Sequence, residues 1–363
     1  MPQYGAECGI ITKAHPPAHI GICAGGWNAG DGATGKQDVE LFFSRALSMV
    51  DGDGKMKKKH VAVIGATGQI GTPLTKSLLK EGHTVTILTR ERNRANETQL
   101  ADHEGRGAKV VICPEMQNVD AVADALKGCD TLVASVPGSK TIIQESEPIW
   151  LKAAVKAGLD RFVPTEFGCH TLAIEMGDGE IFDHKKRFHE LLFASGIGWT
   201  LYYNGGFFDY FLPNLRFFRK ITTFGNLELP IYTHDIEDIG YIGALAVTDH
   251  RTLNKCVQVD YNTLTQNEML ALLKKYWPDY PFEYEHFSSE YIIKMKEKAG
   301  DEISTKKGAE TDKERWGINY VIYVIGKLAA FTDQTLRATE LFPDYVCKRP
   351  EEALSDPKFV FEE

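Results

Sequence analysis

Several things are missing from this 363-residue sequence, and each absence closes off a class of function. No apolar run reaches about 18 residues, so a membrane span is not expected. The seven cysteines are scattered, with no Cys-x-x-Cys pair, so no metal framework is expected. Their spread suits a reducing compartment in which thiols fill core positions, and a cytoplasmic location is the expectation. A long basic run is also absent, and a net charge of −9 argues against nucleic acid as a partner. An Arg-rich, acid-poor leader is lacking too. Residues 1–54 carry Lys13, Lys36 and Arg45 against Glu7, Asp31, Asp38, Glu40, Asp51 and Asp53, which makes organelle import the lesser reading.

Apolar content of 43% is ample for one large domain or two smaller ones. Residues 1–56 stand apart, holding ten of the 33 glycines with poor periodicity, and read as a loose leader. Within it Gly21-Ile-Cys-Ala-Gly-Gly-Trp-Asn-Ala-Gly30 looks like a phosphate loop, but no strand precedes it and no periodic helix follows, so it reads as a decoy.

The informative stretch is Val61-Ala-Val-Ile-Gly-Ala-Thr-Gly-Gln-Ile-Gly71, an apolar run that breaks into three glycines spaced three apart. Ile70, Leu74 and Leu78 then recur every four residues, so the segment reads strand, tight turn, helix. In a dinucleotide site Gly65 would permit the turn, Gly68 the approach of a pyrophosphate and Gly71 close packing of the helix. Amides at the helix start would attract the phosphates.

A second strand, Val85 to Leu88, ends in Thr89 and Arg90. An acid at this place takes the ribose hydroxyls of NAD, whereas a guanidinium grips the extra phosphate of NADP. Arg90 therefore favours NADP(H), although Glu91 could reach the ribose, and Arg92 and Arg94 also read as a solvated charged loop. Strands at Val110–Ile112, Thr131–Ser135 and Arg161–Val163 alternate with helices at Val119–Leu126 and Pro148–Ala157. This alternation predicts an α/β, Rossmann-type, doubly wound parallel sheet over residues 57–203, with a smaller α/β substrate lobe over 204–363. Two strand ends, Ser135-Val136-Pro137-Gly138 and Thr165-Glu166-Phe167-Gly168, should border the nicotinamide half of the groove.

Asp183-His-Lys-Lys-Arg187 opens a helix predicted from Phe182 to Ala194, ahead of a strand at Trp199–Tyr202. Such charge clusters are often a solvated face. Lys185 also suits proton transfer, because a lysine partly desolvated beside a cofactor can exchange a proton near neutral pH.

Gly65-Ala-Thr-Gly-Gln-Ile-Gly71, Arg161-Phe-Val-Pro-Thr-Glu-Phe-Gly168 and Asp183-His-Lys-Lys-Arg187 together resemble the isoflavone reductase-like family. So do Gly196-Ile-Gly-Trp-Thr200, Asp238-Ile-Gly240, Arg251-Thr-Leu-Asn-Lys255 and Leu341-Phe-Pro-Asp344, in one unbroken order from about residue 58 to 355. These are atypical short-chain dehydrogenases of the NmrA-like group, which includes phenylcoumaran benzylic ether, pinoresinol-lariciresinol and isoflavone reductases. The resemblance implies a phosphate loop at Gly65, Thr67, Gly68, Gln69, Ile70 and Gly71 and an NADP-selecting Arg90. It implies Lys185 as general acid or base, within the opening Phe182-Asp-His-Lys185. Thr165 stands where plant members usually have serine, and Lys186-Arg187-Phe188-His189 replaces a more basic run. The Asn204-Gly-Gly-Phe-Phe-Asp-Tyr-Phe211 stretch departs after its asparagine. These changes leave the cofactor site intact and the substrate open.

The usual Tyr-x-x-x-Lys pair of short-chain dehydrogenases occurs only as Tyr323-Val-Ile-Gly-Lys327, expected to lie too far from the sheet to reach a cofactor. From Asn204 the composition turns aromatic. Asn204, Phe207 and Phe208 are candidate contacts for a small aromatic substrate, although most of these rings could equally build the lobe's core. Helices are predicted at Gln266–Tyr276 and Ser289–Lys298, and Asn319–Phe331 is apolar enough for a buried helix or the contact of a homodimer. Two functions fit: an NADPH-dependent reductase of a small aromatic electrophile, or a regulatory NADP-binding sensor without chemistry, which would have no need of Lys185.

Overall fold

A computed structural model of the chain describes residues 58–300 and 311–362, so the leader and its decoy loop lie outside the described residues. Strands β1 (His60–Ile64), β2 (Thr84–Thr89), β3 (Lys109–Ile112), β4 (Thr131–Ala134), β5 (Arg161–Val163) and β6 (Gly198–Tyr203) alternate with helices. The helices are α1 (Gly71–Lys80), α2 (Glu97–Gly105), α3 (Val119–Ala125), α4 (Glu147–Ala157) and α5 (Glu180–Ala194). With β7 (Lys255–Gln258) and β8 (Thr335–Arg337) they form one eight-stranded parallel sheet, ordered β8-β7-β6-β5-β4-β1-β2-β3. The strand order reverses beside β1, between β2 on one side and β4 on the other. That is the switch point at which such sheets bind ligands.

Period-two alternation divides the core between the two faces of the sheet. Val61 and Val63 pack with Leu74, Leu78, Val85 and Ile87 on one face. Ala62 and Ile64 pack with Leu126, Trp150 and Phe162 on the other. Strands covered on both sides must be apolar throughout, and β1 and β4 accordingly read as continuous buried runs.

The expected division at residue 203 is not a boundary of the sheet. β7 and β8 come from the later half of the chain and extend the sheet past β6, with Val257 beside Tyr202 and Leu336 beside Val257. Helix α6 (Ile236–Thr248), also from that half, packs on α1. A Cβ at Gly240 would stand 2.5 Å from Pro73 Cβ, so glycine is what lets the two helices approach. Smaller sheets outside the main one pair Gly206–Phe207 with Ile231–His234 and Ile221–Phe224 with Tyr284–Phe287.

Arg161 at the head of β5 is a structural cation. It is buried, and its guanidinium donates to the carbonyls of Val247 (2.8 Å) and Asp249 (2.8 Å) and to the Thr252 hydroxyl (3.1 Å). It thereby satisfies the open carboxyl end of α6. Burial pulls its pKa down to about 10. Arg161→Met should cost about 3 kcal/mol of stability, because it leaves buried carbonyls without donors. A denaturant midpoint equal to the wild type's would show that the cap is dispensable.

The predicted helices Gln266–Tyr276 (α7) and Ser289–Lys298 (α8) are present as expected. The apolar stretch Asn319–Phe331 is not one helix. Helix α9 spans Asp312–Tyr323, started by a capping box between Thr311 and Glu314, and Gly326 at φ +68° then turns the chain away. Tyr323 and Lys327 are therefore not one helical turn apart, which breaks the spurious catalytic pair.

Candidate functional site

The glycine turn follows β1, and its three glycines do different work. Gly65 has φ +84°, and a Cβ there would lie 2.1 Å from the Ser135 carbonyl oxygen. At Gly71 a Cβ would lie 2.0 Å from the Gly65 carbonyl oxygen. Both are thus required by the protein itself. Gly68 is exposed, and a Cβ there would press on the Gly65 carbonyl oxygen at 3.1 Å, a much milder conflict than at the other two, so this glycine leaves the outer side of the turn open. Among the described residues the amides of Gln69 and Ile70 donate to no backbone carbonyl, leaving donors at the start of α1. From behind, the buried His103 Nε2 lies 3.0 Å from the Ala66 carbonyl and Thr72 donates to the same oxygen, fixing the loop from a side that sequence reasoning missed.

At the end of β2 the three arginines separate. Arg92 is held by Glu97 (2.6 Å) and Glu104 (2.7 Å), a structural clasp. Glu91, the acid that could have taken a ribose, accepts from Asn93 Nδ2 at 2.7 Å. Arg90 is exposed and, among the described residues, meets no partner. These donors and the open Gly68 side fit a dinucleotide carrying an additional phosphate.

Beyond the loop opens a cleft of about 670 Å³. Its near wall is Gly68, Gln69 and Ile70, with Ser135, Val136, Pro137 and Gly138 after β4 and Thr165, Glu166, Phe167 and Gly168 after β5. All eight residues expected at the two strand ends are thus in one wall. Phe167 sits at φ +26°, an uncommon backbone state for a bulky residue, and such local strain is found where a wall must be shaped for a ligand. Its ring packs edge-on against Tyr202 at 6.0 Å.

Helix α5 brings Lys185 to the floor of this cleft. The helix begins at Glu180, two residues earlier than the pattern suggested, because Gly179 is extended and Glu180 and Asp183 suit the positive helix end. Lys185 is only 8% exposed, donates from Nζ to the Glu166 carbonyl at 2.6 Å and lies 3.8 Å from the Glu166 carboxylate. Lys186 instead bonds the Ile174 carbonyl, away from the cleft.

Glu166 is a cleft residue through its backbone, but its carboxylate points into the protein. It accepts from His189 Nε2 and from the Thr171 hydroxyl, both at 2.6 Å. Burial works to raise its pKa, yet the charges of Lys185 and His189 and these two hydrogen bonds outweigh it and hold the group at about 2. Nearby Glu147 moves the other way. Its Oε1 accepts from the Thr165 amide at 2.7 Å, and burial, with Glu166 adding, pushes it up to about 8.

Of the three candidate substrate contacts, Phe207 lines the cleft. Asn204 does not; it is fully buried, with its Nδ2 donating to the Gly205 carbonyl at 2.8 Å. Phe208 packs into the core. The far wall instead uses Tyr210, Phe211, Arg315, Ile318, Asn319, Ile322 and Tyr323, most of them from α9. Tyr323 was expected too far from the sheet to reach a cofactor; it contributes to the cleft lining, while its ring stacks on Phe224 at 5.1 Å. Only the repeat of Ile318 and Ile322 at helical spacing hinted that α9 would present a face.

A parallel sheet with a bare glycine turn at its switch point, a free arginine at the end of β2 and a lysine across an apolar cleft defines a nucleotide-binding oxidoreductase architecture. The NmrA-like family model matches residues 57–323, and the chain belongs to that family, as its motifs suggested. A phenylcoumaran benzylic ether reductase of Ginkgo biloba is 32% identical over 61% of this chain and 76% of its own length. Pinoresinol reductase 2 of Arabidopsis thaliana is 28% identical over 82% of this chain and 96% of its own. The solved structure of AtPrR2 with NADP+ and (+)pinoresinol superposes at a TM-score of 0.70, with 27% identity, covering 84% of this chain and all of that one.

Proposed function

We propose that the protein is an NADPH-dependent reductase that delivers hydride to a small aromatic electrophile, with Lys185 as general acid or base. The observation that carries this reading is a single cleft lined by both the open glycine turn and the buried Lys185. The named reductase relatives support it. When bound, the cofactor supplies the hydride. The chain's own parts do the rest. Gly68 and the amides of Gln69 and Ile70 receive the pyrophosphate, Arg90 takes the additional phosphate, and Ser135 to Pro137 and Thr165 to Phe167 border the nicotinamide half. Apolar neighbours exclude water, and Lys185, oriented by the Glu166 carbonyl, gives a proton to the reacting substrate atom or takes one from it. The substrate belongs to the phenylpropanoid, isoflavonoid or quinone-like compounds, for which Phe207, Tyr210 and Phe211 provide flat apolar contact.

The direct test is NADPH consumption by purified protein against a panel of phenylpropanoid ethers, lignans, isoflavones and quinones. Tight NADPH binding without turnover on any of them would favour the sensor reading instead. Cofactor choice has its own test. Arg90→Ala should weaken NADPH by roughly ten- to hundredfold, the worth of a charge-assisted contact, while NADH changes little. Equal losses for both cofactors in a titration would make Arg90 structural.

A further inference from the structure

The far wall of the cleft carries polar groups that the proposed cofactor site does not use. Arg315 and Asn319 lie four residues apart on α9, one turn of the same helix face, and both line the cleft beside Ile318 and Ile322. Asn319 makes no side-chain hydrogen bond among the described residues. The Arg315 guanidinium has one hydrogen-bond partner there, Asp312 at 3.4 Å, a half-exposed contact at the long end of hydrogen bonding, and lies over the Trp316 ring at 5.7 Å. Pairs of that kind hold weakly, so an incoming anion can compete for the guanidinium. The one carboxylate in the cleft's lining, Glu166, is turned inward and occupied by His189 and Thr171, so it does not repel a bound anion.

The placement of α9 is fixed by backbone packing. A Cβ at Gly317 would stand 3.1 Å from Gly179 Cα, so α9 rests directly on the start of α5, the helix that carries Lys185. The donors of the far wall are therefore held at a set separation from Lys185, across a space bounded by apolar side chains.

We propose that Arg315 and Asn319 form an anion-reading subsite, so that the preferred substrates are aromatic molecules bearing a carboxylate on the side away from the reacting atom. The planar guanidinium fork and the adjacent amide match the two oxygens of a carboxylate. Ile318 and Ile322 flank the ring. This inference rests on the reductase reading for the word substrate, but its test rests on binding alone.

The experiment is calorimetric titration of the NADP+-loaded protein with 4-methoxycinnamate and with its methyl ester, near pH 7. Wild type should bind the acid about tenfold to hundredfold more tightly than the ester. Arg315→Met should bring the two affinities together with NADP+ affinity unchanged, Arg315→Lys should retain part of the preference, and Asn319→Leu should reduce it. Equal affinity for acid and ester in wild type, or saturable binding of neither, overturns the subsite. Loss of NADP+ affinity in Arg315→Met overturns it as well, by assigning the guanidinium to the cofactor. A preserved acid preference in a protein that oxidises NADPH with none of the panel would sink the reductase reading and leave the subsite standing.

Discussion

Lys185→Ala should leave NADPH binding largely intact and cut turnover by about 10² to 10⁴, the range usual for losing a general acid or base. Binding should survive because the contacts assigned to the cofactor lie elsewhere, on the glycine turn, at Arg90 and along the two strand ends. The rate should fall because Lys185 is the cleft's cation at the Glu166 corner, with its Nζ held at 2.6 Å by a carbonyl that does not itself move protons. Lys186→Ala is the matched control, about 100° further round α5, where its own ammonium bonds the Ile174 carbonyl. The readout is a pair of NADPH titrations and a pair of rates with any accepted substrate. If Lys186→Ala were the inactive variant, the assignment of Lys185 would be wrong. If neither were impaired, Lys185 would be a structural cation neutralising Glu166, and the sensor reading would gain.

How far such a site can be read from sequence depends on the range of the interactions that build it. The glycine turn, β1 and α1 are local, and their spacing alone indicated the geometry; the positive φ of Gly65 follows from the turn it makes. The strand ends were legible because alternation with helices fixes which end of a parallel strand faces ligand. What escaped was non-local. β7 and β8 are short, carry no distinctive pattern, and join the sheet by pairing with residues more than fifty positions away. Tyr323, Arg315 and Asn319 reach the cleft because α9 docks on α5 through Gly179 and Gly317, a contact across a sequence distance that no periodicity reports. Adjacent Phe207 and Phe208 illustrate the limit at one residue: the chain passes from strand to helix between them, so one ring lines the cleft and the next enters the core.

Glu147 and Glu166 meet at the Thr165 corner and should respond to pH in opposite senses. Glu166, held near 2, contributes stability that is present above its ordinary 4.5 and lost as pH falls from there toward 2. Glu147, raised to about 8 chiefly by burial, behaves in reverse. Its native form keeps the proton, so the fold has its full stability below pH 4.5 and loses it as pH rises toward 8, because the unfolded chain ionises first. Glu147→Gln keeps an acceptor for the Thr165 amide while removing the ionisation. Stability should then rise relative to wild type by on the order of 4 kcal/mol between pH 5 and pH 9, at about 1.4 kcal/mol per unit of separation. Glu166→Gln should do the opposite at neutral pH, since it strands the Lys185 charge in a buried site without its counter-ion. Thermal unfolding of both variants and wild type at pH 5, 7 and 9 is the measurement. A Glu147→Gln gain that does not grow with pH would show that this carboxyl is already ionised in the native protein. The Thr165 corner of the cleft would then carry two negative charges beside Lys185 rather than one.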